Sequence, residues 1–144
     1  MLNLRPIDAT ISVAPQIDPD DVAAIKAAGF TAIVNNRPDD EQDGQPAGEA
    51  VRAAAEAAGL AYTAIPITHA GFSLPQVTAM VEILEGAGGP VLAFCRSGTR
   101  SCNLWALAQA RMGEHPAVLI EKAAEAGYDL SGLRPLLDQL SAQA

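Results

Sequence analysis

Aromatic side chains are scarce in this 144-residue chain: three Phe, two Tyr and one Trp. A core with so few rings has to be aliphatic, and the 49% of apolar residues can supply it. The length fits one domain, expected to span residues 1–144. Cysteine and histidine number two each. Two cysteines cannot build a disulfide framework, and His69 and His115 alone exclude a histidine-rich metal site. No Cys/His cluster has zinc spacing, so neither a metal nor another cofactor is expected. There is no apolar run of about 18 residues, which argues against a membrane span. The start, Met1-Leu2-Asn3-Leu4-Arg5-Pro6, lacks a signal-peptide pattern, so a cytoplasmic location is expected. Positive charge is the last shortage. Nine Lys and Arg face seventeen Asp and Glu, a net charge of −8, with a sequence pI near 4.5. That balance argues against nucleic acid or an anionic membrane as a standing partner. It also requires any anion site to be locally basic.

One stretch meets that requirement: Val91-Leu92-Ala93-Phe94-Cys95-Arg96-Ser97-Gly98-Thr99-Arg100-Ser101-Cys102. It opens as a short apolar run, as a buried strand does. Gly98 suits a turn that needs positive φ, and Asn103 to Ala110 reads as a helix. A strand, a tight loop and a helix N-terminus form an anion cradle, with backbone N–H groups and the helix dipole directed inward. Cys95 is expected at its mouth, beside Arg96 and Arg100. Dipoles and guanidinium charge there favour a thiolate, and so a nucleophilic cysteine facing an oxyanion. The plain alternative is a small core hydrophobe ending a strand beside a solvated turn. Cys102 has two readings as well: a buried core side chain, or a resolving thiol for oxidised Cys95.

The rest of the chain alternates strand and helix signals. Strands are predicted at Thr10 to Ala14, Thr31 to Asn35, Ala61 to Ile65 and up to Cys95. Helices are predicted from Asp18 to about Ala28, Gly48 to Ala58, from Ser73, Ala117 to Ala126 and Leu133 to Ala142. The Ala-rich stretches, Ala23 to Ala28 and Ala53 to Ala58, are expected to be close-packed helices. This pattern implies a three-layer α/β domain with a short, mainly parallel sheet of four or five strands, the Cys95 strand in the centre. The acidic loop from Asn36 to Pro46 leaves a strand at its carboxyl end, where ligands bind in such sheets. Arg37 could therefore face the same anion as Arg100, or pair with Asp39, Asp40 or Glu41.

Cys-x-x-Gly-x-Arg-Ser resembles the loop of tyrosine and dual-specificity phosphatases, except that four residues rather than five separate Cys95 from Arg100. Rhodanese sulfurtransferases use the shorter loop, often beginning Cys-Arg. Most of the chain is similar to a narrower family, the phosphatase-like domain of beta-lactamase-hydrolase-like proteins, found alone or fused to a metallohydrolase. The stretches that carry this likeness are Asp20 to Phe30, Asn35 to Glu41, Ile65-Pro66-Ile67 and the Cys95 loop. The resemblance implies a (phosphotyrosine protein phosphatase)-like fold and suggests a persulfide dioxygenase-like metallohydrolase as a functional partner. It implies that Arg100 holds the bound anion, that Ser101 donates to the Cys95 sulfur, and that Arg96, Ser97, Gly98 and Thr99 line the oxyanion loop.

Two reactions start from the Cys95 thiolate. A phosphatase would form a phosphocysteine and then needs an acid for the leaving alcohol. Dual-specificity phosphatases supply an Asp from the region after the third strand, but no Asp occurs here between Tyr62 and Gly98. His69 is the only titratable group nearby, either as proton donor or as an exposed loop residue. Phe94 also stands where phosphatases carry a His. A sulfurtransferase would take the outer sulfur of thiosulfate or a persulfide, and its leaving group is already a stable anion. The expected function is therefore sulfur transfer, with phosphate monoester hydrolysis the alternative and a silent oxyanion-binding module the second alternative. The expected partner is a small-molecule or protein thiol or oxyanion.

Overall fold

The computed structural model describes residues 2–144. Five strands form one sheet: β1 (Arg5–Asp8), β2 (Ile11–Ala14), β3 (Ala32–Asn35), β4 (Ala61–Ala64) and β5 (Val91–Phe94). Their spatial order is β1-β2-β5-β3-β4. β5 lies in the middle, paired in parallel with β2 on one side and β3 on the other. β3 pairs in parallel with β4. Every residue of β2, β3 and β5 is buried, as expected for inner parallel strands covered on both faces. β1 alone runs antiparallel, against β2, with its register shifting between Pro6 and Asp8. The sequence reading begins its strands at Thr10 and omits β1, which contains Pro6. At a sheet edge a proline is tolerated, since one side of the strand needs no N–H donor.

Side chains of β5 alternate between two cores. Val91 and Ala93 enter one, while Leu92 and Phe94 enter the other. The first core is covered by α3 (Leu74–Gly86), α4 (Thr99–Arg111), α5 (Pro116–Glu125) and α6 (Arg134–Ala142). The second is covered by α1 (Val22–Ala27) and α2 (Gly48–Ala57). The result is the expected three-layer fold with the Cys95 strand at its centre. α4 packs against α3, α5 and α6 and is almost entirely buried, from Ser101 through Ala110. Trp105 anchors it with no exposed surface.

Three local expectations need correction. α4 begins at Thr99 rather than Asn103, so Arg100, Ser101 and Cys102 belong to its first turns. α1 is shorter than predicted, and a 3-10 turn, Pro19–Asp21, precedes it. The alanines of α1 are not close-packed: Ala23, Ala24, Ala27 and Ala28 are exposed, and only Val22 and Ile25 turn inward. Among the described residues no helix is long and apolar enough to cross a membrane.

Candidate active site

The site grows out of the break between β5 and α4. The Cys95 N–H still follows the sheet, donating to the Ala14 carbonyl at 3.3 Å. The chain then turns back on itself. Gly98 takes φ +90° and forms the N-cap of α4, a conformation open chiefly to glycine. Its N–H donates to Cys95 Sγ at 3.1 Å. Tyr128, from the loop between α5 and α6, braces the turn by donating from its hydroxyl to the Ser97 carbonyl at 3.1 Å. A Cβ on residue 98 would run into that hydroxyl. Ser97 Oγ accepts the Thr99 N–H at 3.4 Å and donates to Thr99 Oγ1 at 3.0 Å. These two side chains therefore support the loop itself, and of the loop N–H groups it is that of Gly98 that points at the sulfur.

Cys95 does not sit at the mouth, as expected from sequence, but beneath it, with no exposed surface. In front of the loop lies an open depression of about 610 Å³, lined by Pro38, Glu41, Thr68, His69, Arg96, Ser97 and Arg100.

Arg100 is held by residues from two other loops. Its Nη1 donates to Glu41 Oε2 at 2.7 Å and to the Ile67 carbonyl at 2.8 Å. Its Nη2 donates to Glu41 Oε1 at 2.8 Å. The bidentate pair uses the outer edge of the guanidinium. Nε and the remaining Nη2 hydrogen have no oxygen acceptor among the described residues, which leaves a second edge able to hold an oxyanion. Hydrogen bonding to Glu41 raises the Arg100 pKa, and the neighbouring Cys95 sulfur, by charge and by hydrogen bonding, raises it further.

Glu41 is the residue that sequence reasoning undervalued. It also accepts from Arg37 Nε at 3.0 Å. The hydrogen bonds from Arg100, with those from Arg37, outweigh partial burial and push its carboxyl down to about 2. Arg37 is buried, and its Nη1 donates to Gln16 Oε1 at 3.1 Å. The two readings of Arg37 thus resolve toward the ion pair: it reaches Glu41, not the anion. Asp39 cannot take that role, because its Oδ1 accepts the Gly48 N–H at 2.8 Å and so caps α2. Asp40 is exposed, at φ 63°.

Ser101 needs a correction too. Asn36 Nδ2 donates to the Ile65 carbonyl at 3.0 Å, which fixes Asn36 Oδ1 as the acceptor facing Ser101. The Ser101 hydroxyl donates to that oxygen at 2.7 Å. A hydroxyl has one proton to give, so here it is not directed at Cys95. Both residues are fully buried, and together they tie the start of α4 to the end of β3. Cys102 has no exposed surface. Burial, reinforced by charge on Cys95, pushes its thiol up to about 12, which fits the core reading. His69 is exposed on the rim of the depression, where sequence placed it as one of two options.

Sequence reasoning assigned no role to Asn36, Tyr128 or the Ile67 carbonyl, although Asn36 and Ile67 fall in stretches that carry the family likeness. Each acts through a contact between distant segments, which no local spacing reports. The chemistry assembled is a cysteine beneath a tight N–H turn, a half-occupied guanidinium, and a carboxylate that stays ionised. No group of three or more His, Cys, Asp or Glu side chains able to hold a metal occurs among the described residues.

Comparison with known proteins places this arrangement. The family model of the beta-lactamase hydrolase-like protein, phosphatase-like domain, matches residues 3–112. A beta-lactamase hydrolase-like protein of Agrobacterium fabrum is 34% identical over 137 residues, covering 94% of this chain and 32% of the relative. The chain thus spans under a third of the length of the curated relatives it matches. The crystal structure of a candidate phosphatase from Neisseria meningitidis superposes with a TM-score of 0.79 at 31% identity, covering 94% of this chain and 96% of that one. Tk-PTP in its active form shares the fold at a TM-score of 0.76 and 17% identity, covering 98% of this chain and 97% of its own. A cysteine-based, phosphatase-type domain is what these likenesses support. The chain belongs to the beta-lactamase hydrolase-like protein, phosphatase-like domain family.

Proposed function

We propose that this domain is a sulfurtransferase that carries sulfane sulfur on Cys95. The observation that supports this most directly is the engagement of Glu41, the one carboxylate lining the depression among the described residues, whose two oxygens accept from Arg100 and Arg37. Phosphate ester hydrolysis by a thiolate requires a proton for the leaving alcohol, and losing a general acid costs about 10²–10⁴-fold. Glu41 is the carboxyl nearest the Arg100 guanidinium, and with its pKa at about 2 it holds no proton near neutrality. Sulfur transfer needs none. The Cys95 thiolate attacks the outer sulfur of thiosulfate, the S–S bond of the donor breaks, and sulfite leaves with the bonding electron pair. Cys95 keeps one sulfur as a persulfide anion. The Gly98 N–H, which donates to Cys95 Sγ, and the Arg100 guanidinium beside that sulfur would stabilise it. An acceptor thiolate or cyanide then removes the outer sulfur. A metallohydrolase of the persulfide dioxygenase kind is the functional partner this reading proposes.

Phosphate monoester hydrolysis is the second reading. Phosphatase-type neighbours favour it, as does the unoccupied guanidinium edge, which matches a phosphoryl group equally well. One experiment separates the two. The reduced protein is incubated with thiosulfate and its intact mass recorded. Gain of one sulfur, its loss to cyanide, and the absence of both in Cys95→Ser are the expected results. Brisk hydrolysis of a phosphoserine peptide without any persulfide would falsify the proposal.

A further inference from the structure

The depression before the Cys95 loop is much larger than the atom that would pass through it. About 610 Å³ is the scale of a site for a drug-sized ligand, whereas thiosulfate is a handful of atoms. Its charge is also unevenly spent. Arg100 and Arg37 share the Glu41 carboxylate. Arg96 is exposed on the same depression and makes no ion pair or side-chain hydrogen bond among the described residues. Thr68 and His69 present polar groups from a different loop. On a chain of net charge −8, a guanidinium with its planar fork unfilled beside a reactive sulfur has the chemistry of a carboxylate receptor.

We infer that Arg96 is a specificity residue that receives a carboxylate on the body of the sulfur carrier. The carrier is then an acidic, peptide-sized thiol in its persulfide form, with Thr68 and His69 meeting its amide groups. The inference rests on the sulfur-transfer reading. The Cys95 thiolate attacks the outer sulfur of the carrier persulfide, the carrier S–S bond breaks, a new S–S bond forms on Cys95, and the carrier departs as its thiolate. There is no net oxidation or reduction.

The test compares two donors that differ in the carboxylates alone: glutathione persulfide and the persulfide of glutathione diethyl ester. The rate of sulfur gain on Cys95 is read by rapid quench and intact mass at low ionic strength. The expected result for the unmodified protein is a preference for the acid of about tenfold, shrinking as salt is added. Arg96→Glu should abolish or invert that preference, Arg96→Gln should reduce it to about twofold, and Arg96→Lys should keep most of it. An unchanged urea midpoint for each variant shows that its fold is intact, and the ester donor, which carries no carboxylate, gives the baseline rate of each. Equal rates for the two donors in the unmodified protein, or an unchanged preference in Arg96→Glu and Arg96→Gln, would overturn the inference and leave sulfur transfer standing. No sulfur on Cys95 from any donor would remove both.

Discussion

Two loops leave neighbouring central strands at the same end of the sheet, and they are built in opposite ways. The loop after β5 is short and self-supporting. Its shape comes from one glycine at φ +90°, a backbone donor on Cys95 Sγ and a Ser97–Thr99 clasp. The loop after β3 is long, and side chains hold it: Asp39 caps α2, Arg37 reaches Gln16 and Glu41, and Asn36 spans Ile65 and Ser101. The first loop supplies the nucleophile. The second supplies most of the electrostatics, because its Glu41 orients Arg100. Position and polarisation of the reacting group are thus divided between segments more than fifty residues apart in sequence, and the comparison can be broken on either side.

The largest effect is expected from Gly98→Ala. Backbone strain of about 1–3 kcal/mol adds to a collision with the Tyr128 hydroxyl, so sulfur uptake on Cys95 should fall at least ~100-fold. Gly44→Ala is the control. It also carries positive φ, at 79°, but a Cβ there meets nothing, so it should lose a little stability and keep its activity. Equal activity losses in the two would show that the shape of the Cys95 turn is not what matters.

Next comes the guanidinium. Arg100→Lys keeps the charge but cannot hold Glu41 and an oxyanion on two planar edges, and should cost at least ~10-fold in turnover. Arg96→Lys should cost less, because that side chain grips nothing in the protein. The reverse order in steady-state kinetics would mean the two arginines have been given each other's roles.

Glu41→Gln tests the second loop through stability. It leaves buried Arg37 short of a counter-charge, and about 1–3 kcal/mol should be lost near pH 7. The sign of the pH dependence follows from the lowered pKa. The Glu41 contribution is present above its ordinary value of 4.5 and is lost as pH falls toward 2. Urea midpoints of the two proteins should therefore separate at pH 7 and converge toward pH 2. A constant gap would show that the charge is not responsible.

The smallest expected effect is none at all. With its thiol pushed up to about 12, Cys102 supplies almost no thiolate to attack an oxidised Cys95. Peroxide treatment and peptide mapping should find no Cys95–Cys102 crosslink; finding one would mean that α4 opens in solution.

The frame of the site was legible in the sequence because its signals are local. An apolar run, a glycine and a helical stretch fix strand, turn and helix around Cys95, and the alternation of such units implies the parallel sheet with that strand in its middle. The electrostatics were not legible. Asp39, Asp40 and Glu41 are three acids in a row, and choosing among them requires knowing that α2 claims Asp39 for its N-terminus. The Ser101 proton was misassigned for a similar reason, since its acceptor, Asn36, lies on another strand's end. Local pattern also left the depth of Cys95 open between the mouth of the cradle and the core, because burial depends on how distant segments pack around it.

The edges of the sheet carry a consequence for self-association. A free strand edge is a template on which another chain can pair. One rim here is β1, in which Pro6 lacks an N–H and a register break follows at Asp8. The other is β4, four residues long and closed two residues later by Pro66. Neither rim offers an unbroken ladder of donors and acceptors, so the chain is guarded against edge-to-edge growth even though its inner strands are buried throughout.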